Sequence, residues 1–181
     1  GKNLYGALAY NQNKVDEGGA KVLSAHLLRY PEDGRFRPDE SVRQFLEWMP
    51  NHYRTEKPVI HISLNPHPDD VLTDGQLAEI GREYMQRLGY GNQPYLVFKH
   101  EDIGRHHIHI VSLRVDSEGR KVSDKFEYRR SKEITELLEQ KYGLHPAEGR
   151  KKGEEWQLKP VDVAKGDIKR QIACTLKPLL E

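Results

Sequence analysis

Apolar positions recur along this 181-residue chain at two spacings, one helical and one alternating, and together they predict its elements in order. Residues 3–10, NLYGALAY, are apolar and compact and suit a short helix. Val22–Leu28 fits either a strand or a buried helical turn. Residues 30–38 carry Pro31, Asp33, Gly34 and Pro38 and read as a loop. After Pro38, acidic Asp39 and Glu40 open a segment in which Val42, Phe45, Leu46 and Met49 share a helical face, and Pro50 and Pro58 punctuate its exit. Val59, His61 and Ser63 then alternate against Ile60, Ile62 and Leu64, the pattern of a strand with one dry face. From Thr73, the stripe Leu77, Ile80, Tyr84 and Leu88 predicts a helix that Gly89 stops. Leu96–Phe98 and Ile108–Val115 read as two strands, residues 116–121 as a turn, and 122–126 as a candidate further short strand. A helix capped at Ser131 runs to Tyr142 and stops at Gly143. Residues 147–159 form a charged linker with little apolar content beyond Trp156, and 162–180 a terminal helix that needs a partner surface. No internal repeat or low-complexity block interrupts this order. Hairpins with helices on one side predict an α+β fold: a two-layer sandwich with a central, mainly antiparallel sheet and flanking helices.

Composition narrows the setting. Residues 1–181 fit one domain with a sizeable core, 147–181 being its linker and last helix. The chain begins at Gly1, which reads as a piece of a longer protein, with a native N-terminal address or a further C-terminal domain expected outside it. No run approaches a membrane span and no secretory signal is visible, so membrane insertion is not expected. The single Cys174 excludes an intrachain disulfide and any CxxC metal site and points to a reducing, cytoplasmic compartment. A net charge of +1 argues against a chain-wide basic coating but allows a local basic groove.

The chemistry-bearing segment is residues 98–115, FKHEDIGRHHIHIVSLRV. On a strand, His107 and His109 project to one face, with Ile108 and Ile110 on the other. Residues 102–105 make a plausible tight connection, with Gly104 supplying turn freedom, and a hairpin folded there brings His100 back beside the pair. A histidine in a strand is most often structural or superficial. Three at offsets 0, 7 and 9 across a turn instead suggest half of an octahedral metal site or three corners of a tetrahedral one. His106 has the wrong parity and reads as a turn or rim residue.

Residues 100–109, HEDIGRHHIH, match H-x-D-x-x-x-x-H-x-H, the metal motif of mobilisation relaxases. The sequence resembles the MOBP type of these enzymes, which belong to the HUH class of single-strand endonucleases. The similarity continues through residues 58–70, 73–91, 115–121, 128–131 and 138–144. Residues 3–10 resemble the segment that carries the nucleophilic tyrosine, and coverage runs from about residue 3 to 146.

That resemblance implies a bacterial, cytoplasmic nickase that cuts one DNA strand at a transfer origin by tyrosine transesterification. It would mobilise a plasmid or integrative element through a 5′-phosphotyrosine link. The runner-up is an origin-recognition or replication module of related fold with little or no nicking; a third reading is a water-using metallohydrolase. Tyr10 fits the nucleophile position, with Tyr5 the local alternative among nine tyrosines. His100, His107 and His109 would hold a divalent cation, Mn²⁺ or Mg²⁺ in function, with Ni²⁺ or Zn²⁺ possible after purification. Asp102 would act at the catalytic site, as base or as an acceptor orienting one imidazole; otherwise it is an Asx-turn residue. Arg105, Arg129, Arg130 and Lys132 are candidate phosphate contacts. His61 would line the DNA groove or be a satisfied core histidine. The expected partners are single-stranded DNA and accessory mobilisation proteins, with the domain itself a monomer.

Overall fold

The computed structural model describes residues 3–101, 105–147 and 175–178, the last stretch as backbone. Helix α1 (Leu4–Asp16) is longer than the apolar run that predicts it, and starts where Asn3 Oδ1 accepts from the Gly6 amide at 2.7 Å. The ambiguous segment after it is a strand, β1 (Ala20–His26). Helix α2 (Pro38–Glu47) opens on its proline, whose missing N–H is an orphan there in any case. Strand β2 (Val59–Leu64) leads to α3 (Asp74–Leu88). A capping box of Thr73 and Gln76 starts this helix, and Gly89, at φ 103°, ends it. Strands β3 (Tyr95–His100) and β4 (His107–Leu113) form the expected hairpin, followed by α4 (Glu127–Tyr142) and a short β5 (Thr175–Pro178).

The strands form one sheet in the order β1-β3-β4-β2-β5, and every neighbouring pair is antiparallel. Chain from β2 crosses through α3 to β3, and the hairpin then returns β4 into the gap between them. The two histidine strands therefore occupy the middle of the sheet, where every residue of both is buried.

The α+β sandwich with a mainly antiparallel sheet is present, but helices cover both faces instead of one. Leu4, Leu8 and Phe45 from α1 and α2 pack with Val59, Leu96, Phe98 and Val111. On the opposite face, Leu77, Tyr84, Met85, Ile134 and Leu138 from α3 and α4 pack with Ile60, Ile62, Val97, Ile108 and Ile110. Strand β2 is accordingly dry on both sides, although Val59, His61 and Ser63 read as its wetter face.

Three other expectations change. Helix α4 begins at Glu127, not at Ser131, and the Glu127 carboxylate accepts from both terminal guanidinium nitrogens of buried Arg114, at 3.0 and 3.1 Å. Ser131 is instead buried within the helix and shares a 2.7 Å hydrogen bond with Tyr84 Oη. Residues 122–126 form no strand; only a Val115–Lys121 bridge closes the turn before them. The 147–159 linker and 162–180 helix fall outside the described residues apart from residue 147 and residues 175–178, and the latter are extended beside β2.

Helix α3 packs directly on the sheet at Gly81. A Cβ there would lie 3.2 Å from Ile108 Cδ1 and 3.5 Å from Val97 Cγ1. Gly81→Val should therefore overpack this layer and lower stability by about 1–3 kcal/mol, outweighing the few tenths gained in helix propensity. A urea midpoint at or above that of the parent, with unchanged slope, would refute this account of the α3–sheet contact.

Candidate metal centre

Residues opposite one another on antiparallel strands share a face, so the register of β3, β4 and β2 dictates what meets what. His100 pairs with His107, Phe98 with His109, and Ser63 with His109. The three histidines thus project together beneath α1, on the face that also carries Phe98 and Val111. Their ring centroids lie 4.1 Å (His100–His109), 5.1 Å (His107–His109) and 5.3 Å (His100–His107) apart. One ligand nitrogen from each falls within 4.8 Å of the others, and all three side chains are fully buried.

Each ring is held from behind. His100 Nε2 lies 2.7 Å from Asn11 Oδ1, and His109 Nδ1 lies 2.8 Å from His61 Nε2. His107 Nδ1 faces the Arg105 carbonyl at 3.5 Å, the long limit of a hydrogen bond. These bonds leave Nδ1 of His100 and Nε2 of His107 and His109 as the nitrogens for a ligand, all three buried. Burial, reinforced by the neighbouring imidazoles of His100, His61 and His107, holds the His109 pKa well below its ordinary value. A buried neutral imidazole with an orphaned nitrogen, backed by an oriented second ring, fits a divalent cation better than it fits an empty core. The donor set is therefore suited to a metal.

Tyr10 lies over this group. Its ring stacks on His100 at 6.1 Å and 15°, and is 6.4 Å from His109. Tyr5 points elsewhere and is half exposed. His61 is wholly buried, with its Nε2 against Nδ1 of His109. Arg105 sits in the β3–β4 connection beside His107. His106 is exposed, as a rim residue should be, with Glu101 3.8 Å away. Asp102 lies outside the described residues.

Arg129, Arg130 and Lys132 do not join the triad. They occupy the first turns of α4, on the opposite face of the sheet and beside the exit of β4, roughly 20 Å along the strand from His107. Arg130 donates to the carbonyls of Leu88, Ser123 and Lys125 and so anchors α4 to the end of α3. Arg129 lies over the Phe126 ring at 5.1 Å, with Glu133 3.7 Å away.

Asn11 is the residue the sequence reading missed. It occupies the same buried stripe of α1 as Leu4, Ala7 and Leu8. An amide in line with Leu4, Ala7 and Leu8 is the signal that could have found it.

The family model for the relaxase MobA/VirD2-like nuclease domain matches residues 10–144, well over half of the chain. The chain belongs to this family. Neither the curated proteins nor the solved structures compared give a significant match. The matched span of this relaxase domain begins at Tyr10 and takes in β1 to β4, α2 to α4 and all three histidines of the triad. No helix among its described residues is long and apolar enough to cross a membrane.

His109 makes the metal-free relaxase domain acid-sensitive. Its folded pKa lies below the unfolded value of 6.5, so beneath that pH the unfolded chain binds a proton that the folded one refuses. Stability is complete above the unfolded pKa and is lost as pH falls towards the folded one, by up to about 1.4 kcal/mol per pH unit for one proton. Urea titrations of chelator-treated protein between neutral pH and pH ~5 should show this fall, and His109→Gln should flatten it. An identical pH profile in parent and variant would contradict it.

Proposed function

We propose that this relaxase domain nicks one DNA strand by transesterification, with the Tyr10 hydroxyl as nucleophile. The observation that carries the reading is the ring of Tyr10 stacked against the buried histidine triad. A phenol with an ordinary pKa near 10 is a poor nucleophile at neutral pH, so it needs placement beside a positive site. His100, His107 and His109 would hold a divalent cation. Such an ion, when bound, supplies charge to the non-bridging oxygens of the scissile phosphate and offsets the repulsion between nucleophile and phosphodiester.

The chain's own residues do the rest. Helix α1 presents Tyr10 from one side while the central strands present the imidazoles from the other. Oη forms a bond to phosphorus as the bond to the 3′-oxygen breaks; the phenol loses a proton and the 3′-oxygen gains one. One phosphodiester is exchanged for another, so the bond energy is kept in a 5′-phosphotyrosine link. Three neutral ligands leave the cation's charge undiminished towards the phosphate, and imidazoles favour Mn²⁺, Ni²⁺ or Zn²⁺ over Mg²⁺ in affinity. Arg105, at the triad's edge, is the candidate phosphate contact among the predicted basic residues. The biological setting consistent with this chemistry is mobilisation of a plasmid or integrative element from a transfer origin in the bacterial cytoplasm.

Two outcomes test the reading. Incubated with Mn²⁺ and single-stranded oligonucleotides spanning candidate transfer origins, the parent should give a covalent protein–DNA adduct on a denaturing gel. Tyr10→Phe should give none while still binding the oligonucleotide, since only the hydroxyl is removed. An adduct that maps to Tyr5, or one that survives in Tyr10→Phe, would sink the assignment. Separately, His107→Ala and His109→Ala should each weaken Mn²⁺ binding in calorimetry by at least about tenfold. Parent-like affinity in both would remove the triad as the metal site.

A further inference from the structure

We propose that Asn11 is a positioning residue: it fixes the tautomer of His100 and ties the helix bearing Tyr10 to the metal ligands. The inference rests on the metal reading of the triad, but it can be judged apart from it.

Which atom of the amide faces the ring decides the tautomer. Asn11 is fully buried, and its Nδ2 donates to the Ala7 carbonyl at 2.8 Å, one helical turn back. Reversing the amide would press Oδ1 against that carbonyl, acceptor on acceptor, so the orientation is set within α1 itself. Only Oδ1 can then face His100, at 2.7 Å from Nε2. An amide oxygen donates nothing, so His100 Nε2 must carry the proton. A neutral imidazole has one N–H, and its lone pair is thereby left on Nδ1, the buried nitrogen on the other side of the ring.

The same bond orients the ring plane. Tyr10, the neighbour of Asn11 in sequence, stacks on that plane at 15°. One turn of α1 thus sets both the nucleophile's ring and the proton position on the ligand beneath it.

Two variants separate positioning from packing. Asn11→Leu keeps the branching at Cγ and removes the acceptor. Asn11→Asp keeps an acceptor towards His100, but its second oxygen replaces the donor to Ala7 and it adds a negative charge beside the ring. Long-range ¹H–¹⁵N NMR of the chelator-treated full chain should show His100 protonated at Nε2 in the parent and in Asn11→Asp, and a mixture of tautomers in Asn11→Leu. Titration with Ni²⁺ should show about a 10- to 100-fold loss of affinity in Asn11→Leu and no loss in Asn11→Asp, whose carboxylate also accepts from Nε2.

A parent His100 protonated at Nδ1 overturns the proposal. So does Asn11→Leu with the parent's tautomer and affinity, or Asn11→Asp binding Ni²⁺ no better than Asn11→Leu. If Asn11→Leu does not fold, the parent's tautomer and the Asn11→Asp titration still decide. A parent that binds no Ni²⁺ overturns the metal reading of the triad instead, and the tautomer measurement then judges Asn11 alone.

Discussion

The register between the two central strands is the constraint on which everything else rests. With His100 opposite His107, and His109 two residues further along β4, three imidazoles must share one patch of one face. A slip of one residue would send His107 and His109 into the apolar layer under α3 and α4. Leu96, Phe98 and Val111 on one face, and Val97, Ile108 and Ile110 on the other, forbid that slip, because both faces are filled by helices. The apolar residues between the histidines thus locate the site as firmly as the histidines do.

Burying three basic rings side by side has an electrostatic consequence. His109 cannot take up a proton easily, since the added charge would be desolvated and repelled by its neighbours. The triad therefore presents lone pairs, and the second ring nitrogens are directed to Asn11, the Arg105 carbonyl and His61. This division between inward lone pairs and outward contacts distinguishes the group from a packed aromatic cluster. It also explains why Arg129, Arg130 and Lys132, though close in sequence to one another, contribute nothing to it: their helix starts at the other end of β4.

Much of this was legible along the chain. Strand parity alone placed His107 with His109, and the glycine-containing turn placed His100 beside them. The stripes of α2 and α3 and the Gly89 stop were equally local signals. What stayed hidden depended on partners far apart in sequence. The start of α4 carries the Arg114–Glu127 pair across the β4 exit and no side-chain cap, so Ser131 misled as a cap. Helices on both faces follow from how α1 and α2 fold over the sheet, which no single segment encodes. His61 could be read as groove or core residue, and its ring nitrogen against His109 shows only with β2 beside β4. Asn11 was passed over because an amide followed by two more, Gln12 and Asn13, carries no motif.

The topology also fixes a chronology. Strand β4 lies between β2 and β3, both of which precede it in the chain, and it pairs with each along its length. During synthesis, β2, α3 and β3 leave the ribosome with a vacant slot in the middle of the sheet. Only when β4 enters that slot do His107 and His109 reach His100, and only then does His61 acquire its partner. These long-range pairings carry a higher loop-closure cost than the local helices, so they form slowly. The three imidazoles are accordingly brought together only when β4 enters the sheet, and a chain stalled before that step exposes the apolar edges of two strands while lacking the complete triad.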